Sequence, residues 1–257
     1  MLNILKKSDE KTINQNPHIF RVFKLKPEEF NGLVSELVSL LPDHYIDPKS
    51  IADLLNRLGK GAAAKKLSEK IPATKNIRSG DIGEVIATDY IEEFTDFKVP
   101  IRKLRWRDHR DMAMRGDDVI GIYVDPITES VRFLKAEAKA NKALSRDVLG
   151  KARIELDNDD GLPAPHALSF ISDRLKEIGN KPLADLLEKV QLINLIREDQ
   201  VEHLLFTFTA SDPESLQKEA FDSYNGNIMQ TSVGFQVNDH QTFIANVYQG
   251  VIDGLDE

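Results

Sequence analysis

The chain has 257 residues, of which 30% are charged and 41% belong to the hydrophobic set, and its formal net charge is −8. This length accommodates one large core, or a core domain with a smaller second one, and the lack of cysteine excludes disulfides, thiolate metal sites and cysteine nucleophiles. No run approaches the ~20 apolar residues of a membrane span, and the N-terminus lacks the apolar core of a secretory signal, so we expect a cytoplasmic protein with no membrane partner.

The first 76 residues are predicted to form a mainly helical region that packs on the core or docks a partner. Pro42 is expected to end its first helix, and Ser50 is expected to cap the second. Residues 71–80 are predicted as a linker, which divides the chain into parts 1–76 and 77–257. The predicted elements here are an extended stretch at 18–25 and helices at 30–41, 51–58 and 62–70.

The second part alternates helices with short apolar strands. Ser79 or Asp81 is expected to cap its first helix, with Glu84 in the first turn. The order of helix, strands, helix and strand predicts an α/β fold. The predicted helices are 82–94, 143–156, 166–178, 182–196 and 239–252, and the predicted strands are 97–104, a hairpin of 117–124 and 131–139, 203–210 and 232–237.

The most informative motif is Glu137-Ala-Lys139, near the end of the second hairpin strand. Side chains alternate between the two faces of a strand, so Glu137 and Lys139 point the same way, with Cα atoms roughly 6.5–7 Å apart. Asp118 on the neighbouring strand would complete an Asp…Glu-x-Lys cluster. Two carboxylates can hold a hard divalent cation, and the lysine can stabilise charge on a phosphate. The cluster therefore predicts phosphodiester cleavage, although a solvent-facing salt bridge has the same spacing.

Positive charge is concentrated just before this hairpin. Residues 102–115 contain six basic side chains and the only tryptophan, Trp106, in a chain that is acidic for a free-standing DNA-binding protein. We predict salt-dependent, sequence-independent phosphate contacts here, with Trp106 stacking on a base. The alternatives are a solvated charged face and a core tryptophan. The candidate DNA-binding residues are Arg105, Arg107, Arg110, Arg115, Lys142 and Arg146.

Three motifs in order resemble a known family. They are Ser79-Gly-Asp-Ile-Gly-Glu-Val-Ile-Ala87, Arg115-Gly-Asp-Asp118 and Phe133-Leu-Lys-Ala-Glu-Ala-Lys139. Followed by a basic helix, they resemble the PD-(D/E)XK restriction-endonuclease-like core and, more narrowly, HamA, the nuclease subunits of the Hachiman antiphage systems. The resemblance is best over residues 79–177. It implies a mixed central sheet flanked by helices.

The resemblance also implies an activity, a cofactor and partners. The family's members degrade DNA and associate with a helicase subunit, HamB, which would account for the acidic charge of this chain. Carried over to this sequence, Asp118, Glu137 and Glu84 would bind Mg²⁺ or Mn²⁺, and Lys139 would complete the catalytic set. The alternatives are an RNase with the same site and a non-catalytic subunit that binds DNA or the helicase.

The chain departs from the general nuclease pattern in two places. No proline precedes the metal aspartate, so either Asp117 or Asp118 could be the ligand, and no glutamine is found on the helix after Lys139, so no water-orienting side chain is assigned. Asp118 is favoured because alternation places it on one strand face with the apolar residues Ile120, Ile122 and Val124.

Overall fold

A six-stranded mixed sheet organises residues 2–256, the part of the chain that the computed structural model describes. The strand order is β1-β2-β6-β5-β4-β3. The four central strands are parallel to one another, and the outermost pair at each edge is antiparallel. This arrangement confirms the predicted α/β fold with a mixed sheet. The strands are β1 (Ser8–Gln15), β2 (His18–Leu25), β3 (Val119–Val124), β4 (Val131–Asn141), β5 (Val201–Thr209) and β6 (Met229–Gln236).

Helices cover both faces of the sheet. On one face the longest helix, α5, shares an apolar core with α2 and α10, and on the other α6, α7, α8 and α9 contribute to smaller apolar clusters. None of the helices within residues 2–256 is long and apolar enough to cross a membrane. The helices are α1 (Ile4–Lys7), α2 (Phe30–Tyr45), α3 (Pro48–Leu58), α4 (Lys60–Lys70), α5 (Lys75–Phe94), α6 (Arg146–Asp157), α7 (Pro165–Glu177), α8 (Lys181–Lys189), α9 (Glu214–Asp222) and α10 (His240–Asp256).

The predicted hairpin is confirmed as β3 and β4. Its turn is closed by Asp125, whose Oδ1 accepts hydrogen bonds from the backbone N–H groups of Ile127 and Thr128 at 2.9 and 2.7 Å. Strand β4 is apolar on both sides: Leu134 packs in the core with α5, and Phe133 packs in the cluster on the opposite face. Strands covered on both faces are usually near-continuous apolar runs, so charged residues within β4 stand out, among them Lys135 in its middle, and Glu137 and Lys139 near its end.

The N-terminal region contributes directly to the sheet. Strand β2 pairs in parallel with β6, and β1 forms the outer edge. Consequently, the predicted division at residue 76 does not coincide with a break in the sheet. The predicted extended stretch at 18–25 is confirmed as β2, and the docking role of helices α3 and α4 stays a prediction.

Two predicted helix boundaries in this region are wrong. Helix α2 continues through Pro42 for one more turn, because Tyr45 is buried and its hydroxyl donates a 2.6 Å hydrogen bond to Asp81. Proline in a last turn removes one backbone hydrogen bond, and the burial of Tyr45 offsets that loss. Helix α3 begins at Pro48, with Asp47 rather than Ser50 at its N-cap position.

The predicted linker at 71–80 is mostly helix. Helix α5 begins at Lys75, so Ser79 and Asp81 lie inside it and cap nothing, and Glu84 lies in its third turn. The reason is tertiary, since Asp81 is buried and paired with Arg107. Ser79 and Asp81 therefore make contacts with other elements of the fold instead of capping a helix.

The prediction of a strand over 97–104 is wrong. The segment makes a single bridge, Lys98 to Ile122, and then a short 3-10 turn over Lys103–Trp106. Strand β1 and helix α9 had no sequence prediction. The polar composition of β1 fits an exposed edge strand, where an alternating apolar pattern is not required.

Candidate active site

The candidate site lies where β4 extends beyond its partner β3. The last β3 pair is Val119 with Ala136, so the five residues 137–141 of β4 are free of β3 on that side. Glu137 and Lys139 lie in this extension on one face, as predicted, and the Lys139 ammonium donates a hydrogen bond to the Glu137 carboxylate. The side chain of Glu137 is 10% exposed and that of Lys139 is 27% exposed. The pair is therefore partly buried, unlike a solvated surface salt bridge.

Asp118 fills the gap left beside β4. It immediately precedes β3, and its Oδ2 accepts a 2.9 Å hydrogen bond from the backbone N–H of Ala138, between Glu137 and Lys139. Asp117 has a different environment: its Oδ2 accepts from the backbone N–H of Ala164 at 2.8 Å, and its Oδ1 lies 3.5 Å from the buried Lys135 ammonium. The geometry thus favours Asp118 as the side chain that faces the cluster.

Glu84 reaches the same place from helix α5. A Cβ built on the preceding Gly83 would lie 3.1 Å from the Cβ of Ala140, so glycine permits the close approach of α5 to the end of β4. The carboxylates of Glu84 and Asp118 are bridged by Lys103, whose Nζ lies 3.4 Å from Glu84 Oε2 and 3.6 Å from Asp118 Oδ1. Nothing in the local pattern of residues 102–115 distinguishes Lys103 from the arginines around it.

Burial and repulsion by the Asp118 carboxylate raise the pKa of both glutamates. Burial is the largest cause that raises the pKa of Glu84 to about 8; Lys103 opposes this rise, and the Asp118 carboxylate adds to it. Burial and then Asp118 raise the pKa of Glu137 to about 8, against the hydrogen bond from Lys139. Asp118 therefore acts on both glutamates and is the electrostatic centre of the cluster.

The two lysines keep their charge. Burial lowers the pKa of Lys139, but the hydrogen bond to Glu137 and the nearby carboxylates outweigh it, and the pKa lies above its ordinary value. The pKa of Lys103 is raised in the same way, with Glu84 as the strongest of its carboxylate neighbours. Both side chains are therefore ammonium groups at neutral pH. One further contributor, Glu155 on α6, was missed in the sequence; its charge raises the pKa of Glu137 and Lys139.

The donor chemistry of the cluster fits a hard divalent cation. Glu84, Asp118 and Glu137 offer only carboxylate oxygens, the ligands that Mg²⁺ and Mn²⁺ prefer. A cation would also offset the burial and repulsion that raise the glutamate pKa values. Between residues 2 and 256, no group of three or more acidic or histidine side chains is already gathered as a metal site. Here the carboxylates are paired with Lys103 and Lys139 instead.

The basic stretch is divided between buried and exposed side chains. Arg107 is buried in an ion pair with Asp81, a location that does not fit its predicted phosphate contact. Arg105 is partly buried, and its Nε donates a 2.8 Å hydrogen bond to the backbone carbonyl of Asp43. Trp106 packs edge-to-face on Phe170, with ring centroids 6.2 Å apart. The exposed candidates are Arg110, Arg115, Lys142 and Arg146, the last paired with Glu219.

The fold and the site define an α/β protein, consistent with a nuclease-like architecture, that carries a carboxylate–lysine cluster at the open end of a sheet hairpin. A family model of HamA matches residues 2–251, nearly the whole chain. The chain belongs to the HamA family. It is similar to the Hachiman protein HamA of Bacillus cereus, with 24% identity over 177 residues, a match that covers 69% of this chain and 62% of the relative.

Proposed function

We propose that this protein is a metal-dependent nuclease that hydrolyses phosphodiester bonds in DNA and acts with a helicase partner in antiphage defence. The observation that carries the activity is the position of Asp118, which bonds to the β4 backbone between Glu137 and Lys139 and shares Lys103 with Glu84. Membership of the HamA family and the similarity to a Hachiman protein support the defence role. The helicase partner is what the family resemblance implies.

The carboxylates are the proposed cation ligands. Asp118 and Glu137 would hold Mg²⁺ or Mn²⁺ together, and Glu84 would complete the set from α5. When bound, such a cation activates water as the nucleophile and offsets charge on the phosphate oxygens. Of the two aspartates, Asp117 is held by Ala164 and Lys135, which leaves Asp118 for this role.

Lys139 is proposed to stabilise the transition state as a positive charge. Its raised pKa keeps the ammonium protonated at neutral pH, so it is unsuited to accept a proton from water. A fixed ammonium next to the phosphate would instead stabilise negative charge as it develops on a non-bridging oxygen. This assignment predicts that neutral replacements of Lys139 slow the chemical step.

The test is plasmid degradation in Mg²⁺ by wild type, Lys139→Ala and Lys181→Ala, an exposed lysine on α8 that serves as the matched control. Each protein is assayed alone and co-purified with the product of a neighbouring helicase gene and ATP. We expect wild type and Lys181→Ala to cut, EDTA to stop cutting, and Lys139→Ala to cut roughly 100-fold more slowly, the usual effect of removing one transition-state contact.

The same assay separates the competing functions. Cutting of RNA but not DNA would replace the proposed substrate, and DNA binding that neither EDTA nor Lys139→Ala affects, without any cutting, would favour a binding subunit. Folded protein that cuts nothing with partner and ATP present would contradict the proposal.

A further inference from the structure

A cavity of about 280 Å³ opens beside Glu84 and Asp118. Its walls are mainly apolar and come from three segments: Ile101 before the 3-10 turn, Ile120 on β3, and Phe170 and Ile171 on α7. Lys103 and Arg115 add positive charge to the same lining. Glu137 and Lys139 are not part of the lining, and Asp118 is the residue that connects the cavity with that pair.

The cavity contains a buried polar group without a partner. His44, on the extra turn of α2 after Pro42, is 3% exposed and lines the cavity. Within the described part of the chain, its imidazole makes no hydrogen bond. Burial lowers the pKa of His44 well below its ordinary value, so the ring is neutral and offers one N–H donor and one nitrogen acceptor. The His44 nitrogens are not among the fully enclosed polar atoms that lack a partner, so a molecule in the cavity that His44 lines can bond to them.

The ligand that this lining fits is flat, apolar on its faces and polar at its edge. The volume is close to the lower end of the roughly 300–1,000 Å³ of small-ligand sites. Phe170 contributes an aromatic ring to the lining. Trp106 packs edge-to-face on this ring, and the Arg174 guanidinium lies over it, 5.4 Å from the centroid. A nucleobase has these properties, since every base stacks on aromatic rings and carries donors and acceptors on its edge.

We propose that this cavity takes one unstacked base of the strand that the candidate site cuts. The proposal rests on the proposed nuclease function. Asp118 belongs to both the cavity and the candidate site, so a base in the cavity would lie next to the scissile phosphate. Phe170 and the isoleucines would cover the base faces, and His44 would bond to the edge. A paired base in a duplex has no access to such a cavity, so the preferred substrate is a single strand or a frayed end.

The experiment measures binding of a single-stranded DNA oligonucleotide that contains one 2-aminopurine. All proteins carry Lys139→Ala, so that cutting in Mg²⁺ is slowed roughly 100-fold and the strand stays intact during the measurement. His44→Leu removes the polar edge contact and Phe170→Leu removes the aromatic face. His240→Leu is the matched control, since His240 is also buried with a lowered pKa but lies on α10 outside the cavity.

We expect the fluorescence of 2-aminopurine to change on binding to the parent protein and to His240→Leu. Each cavity variant should lose this change and bind the single strand about tenfold more weakly, the effect of one stacked base. Duplex affinity should be equal in all four proteins. His44→Leu should keep the parent's melting temperature, because its imidazole has no bond to lose.

Other outcomes overturn the proposal. Equal fluorescence changes in all four proteins would place the base elsewhere, and displacement of the strand by free deoxynucleoside monophosphate at similar concentration would make the cavity a mononucleotide site. Undiminished cutting of single strands by His44→Leu and Phe170→Leu with Lys139 restored would remove the base pocket and leave the nuclease intact. Absence of both DNA binding and cutting by the wild type would remove both proposals.

Discussion

The ammonium of Lys103 lies 3.4 Å from the Oε2 carboxylate oxygen of Glu84. It also lies 3.6 Å from Asp118 Oδ1 and donates a 3.1 Å hydrogen bond to the backbone carbonyl of Asp117. Its side chain is 13% exposed, and the neighbouring carboxylates raise its pKa above the ordinary value despite burial. Lys103 thus supplies positive charge at the place where a divalent cation would sit.

We therefore expect Lys103→Met to increase the affinity for Mn²⁺ by roughly tenfold, measured by isothermal titration calorimetry. At the effective dielectric of a protein surface, two unit charges 4 Å apart interact by about 4 kcal/mol, so even a fraction of this repulsion suffices. Methionine keeps the length of the side chain without its charge. Lys103→Arg keeps the charge and is the control. Unchanged or weaker Mn²⁺ binding by Lys103→Met would show that Lys103 does not oppose the cation.

The raised pKa values of Glu84 and Glu137 predict how stability depends on pH without metal. An ordinary glutamate pKa of 4.5 rises to about 8 in the folded state for each. Between these values the folded state binds more protons than the unfolded state, so the free energy of unfolding falls as pH rises. The buried histidines His44, His203 and His240 have lowered pKa values. They give a slope of the opposite sign until the unfolded histidines, with an ordinary pKa of about 6.5, have lost their protons, which is nearly complete above about pH 7.5.

The measurement is urea denaturation in EDTA at several pH values from about 7.5 to 8, where the histidines contribute little. Each glutamate contributes a slope of up to about 1.4 kcal/mol per pH unit. Glu137→Gln should reduce the slope by roughly half, because one of the two titrating groups is gone. A free energy of unfolding that rises with pH in this window would contradict the assignment.

Two arginines of the basic stretch should behave differently when replaced by alanine. Arg107 forms a buried ion pair with Asp81, and loss of one partner of such a pair costs about 3–5 kcal/mol of stability. Arg115 is exposed, so Arg115→Ala should leave stability unchanged and reduce the salt dependence of DNA binding by about one phosphate contact. Denaturation curves and binding at several salt concentrations separate the two. Equal stability of both variants would contradict this division.

The close approach of α5 to β4 predicts that Gly83→Val lowers both stability and metal affinity. A Cβ at residue 83 would lie 3.1 Å from the Ala140 Cβ, and overpacking of this kind typically costs about 1–3 kcal/mol. The shift of α5 would also move the neighbouring Glu84. Gly80→Ala is the control, since nothing lies within 4 Å of a Cβ there, and it should gain about 0.5–1 kcal/mol. Calorimetry and urea denaturation test both variants.

Local patterns in the sequence were sufficient to predict the hairpin of β3 and β4. Two short apolar runs around an Asp-Pro turn predicted β3 and β4, and the period of two placed Glu137 and Lys139 on one face. Helix ends were less predictable. Pro42 and the residues at 71–80 carry strong local signals, yet these helix ends follow burial, because Tyr45 and Asp81 make contacts between distant segments.

The sequence by itself determined the α/β class and the grouping of Glu137 with Lys139, because both depend on periodicity within a few residues. Only the tertiary structure decided the rest of the site. It separated Asp117 from Asp118, paired Arg107 with Asp81, and brought Lys103 and His44 beside Glu84. These residues come from segments far apart in the chain, and their proximity depends on how helices pack on the sheet, which no local spacing encodes.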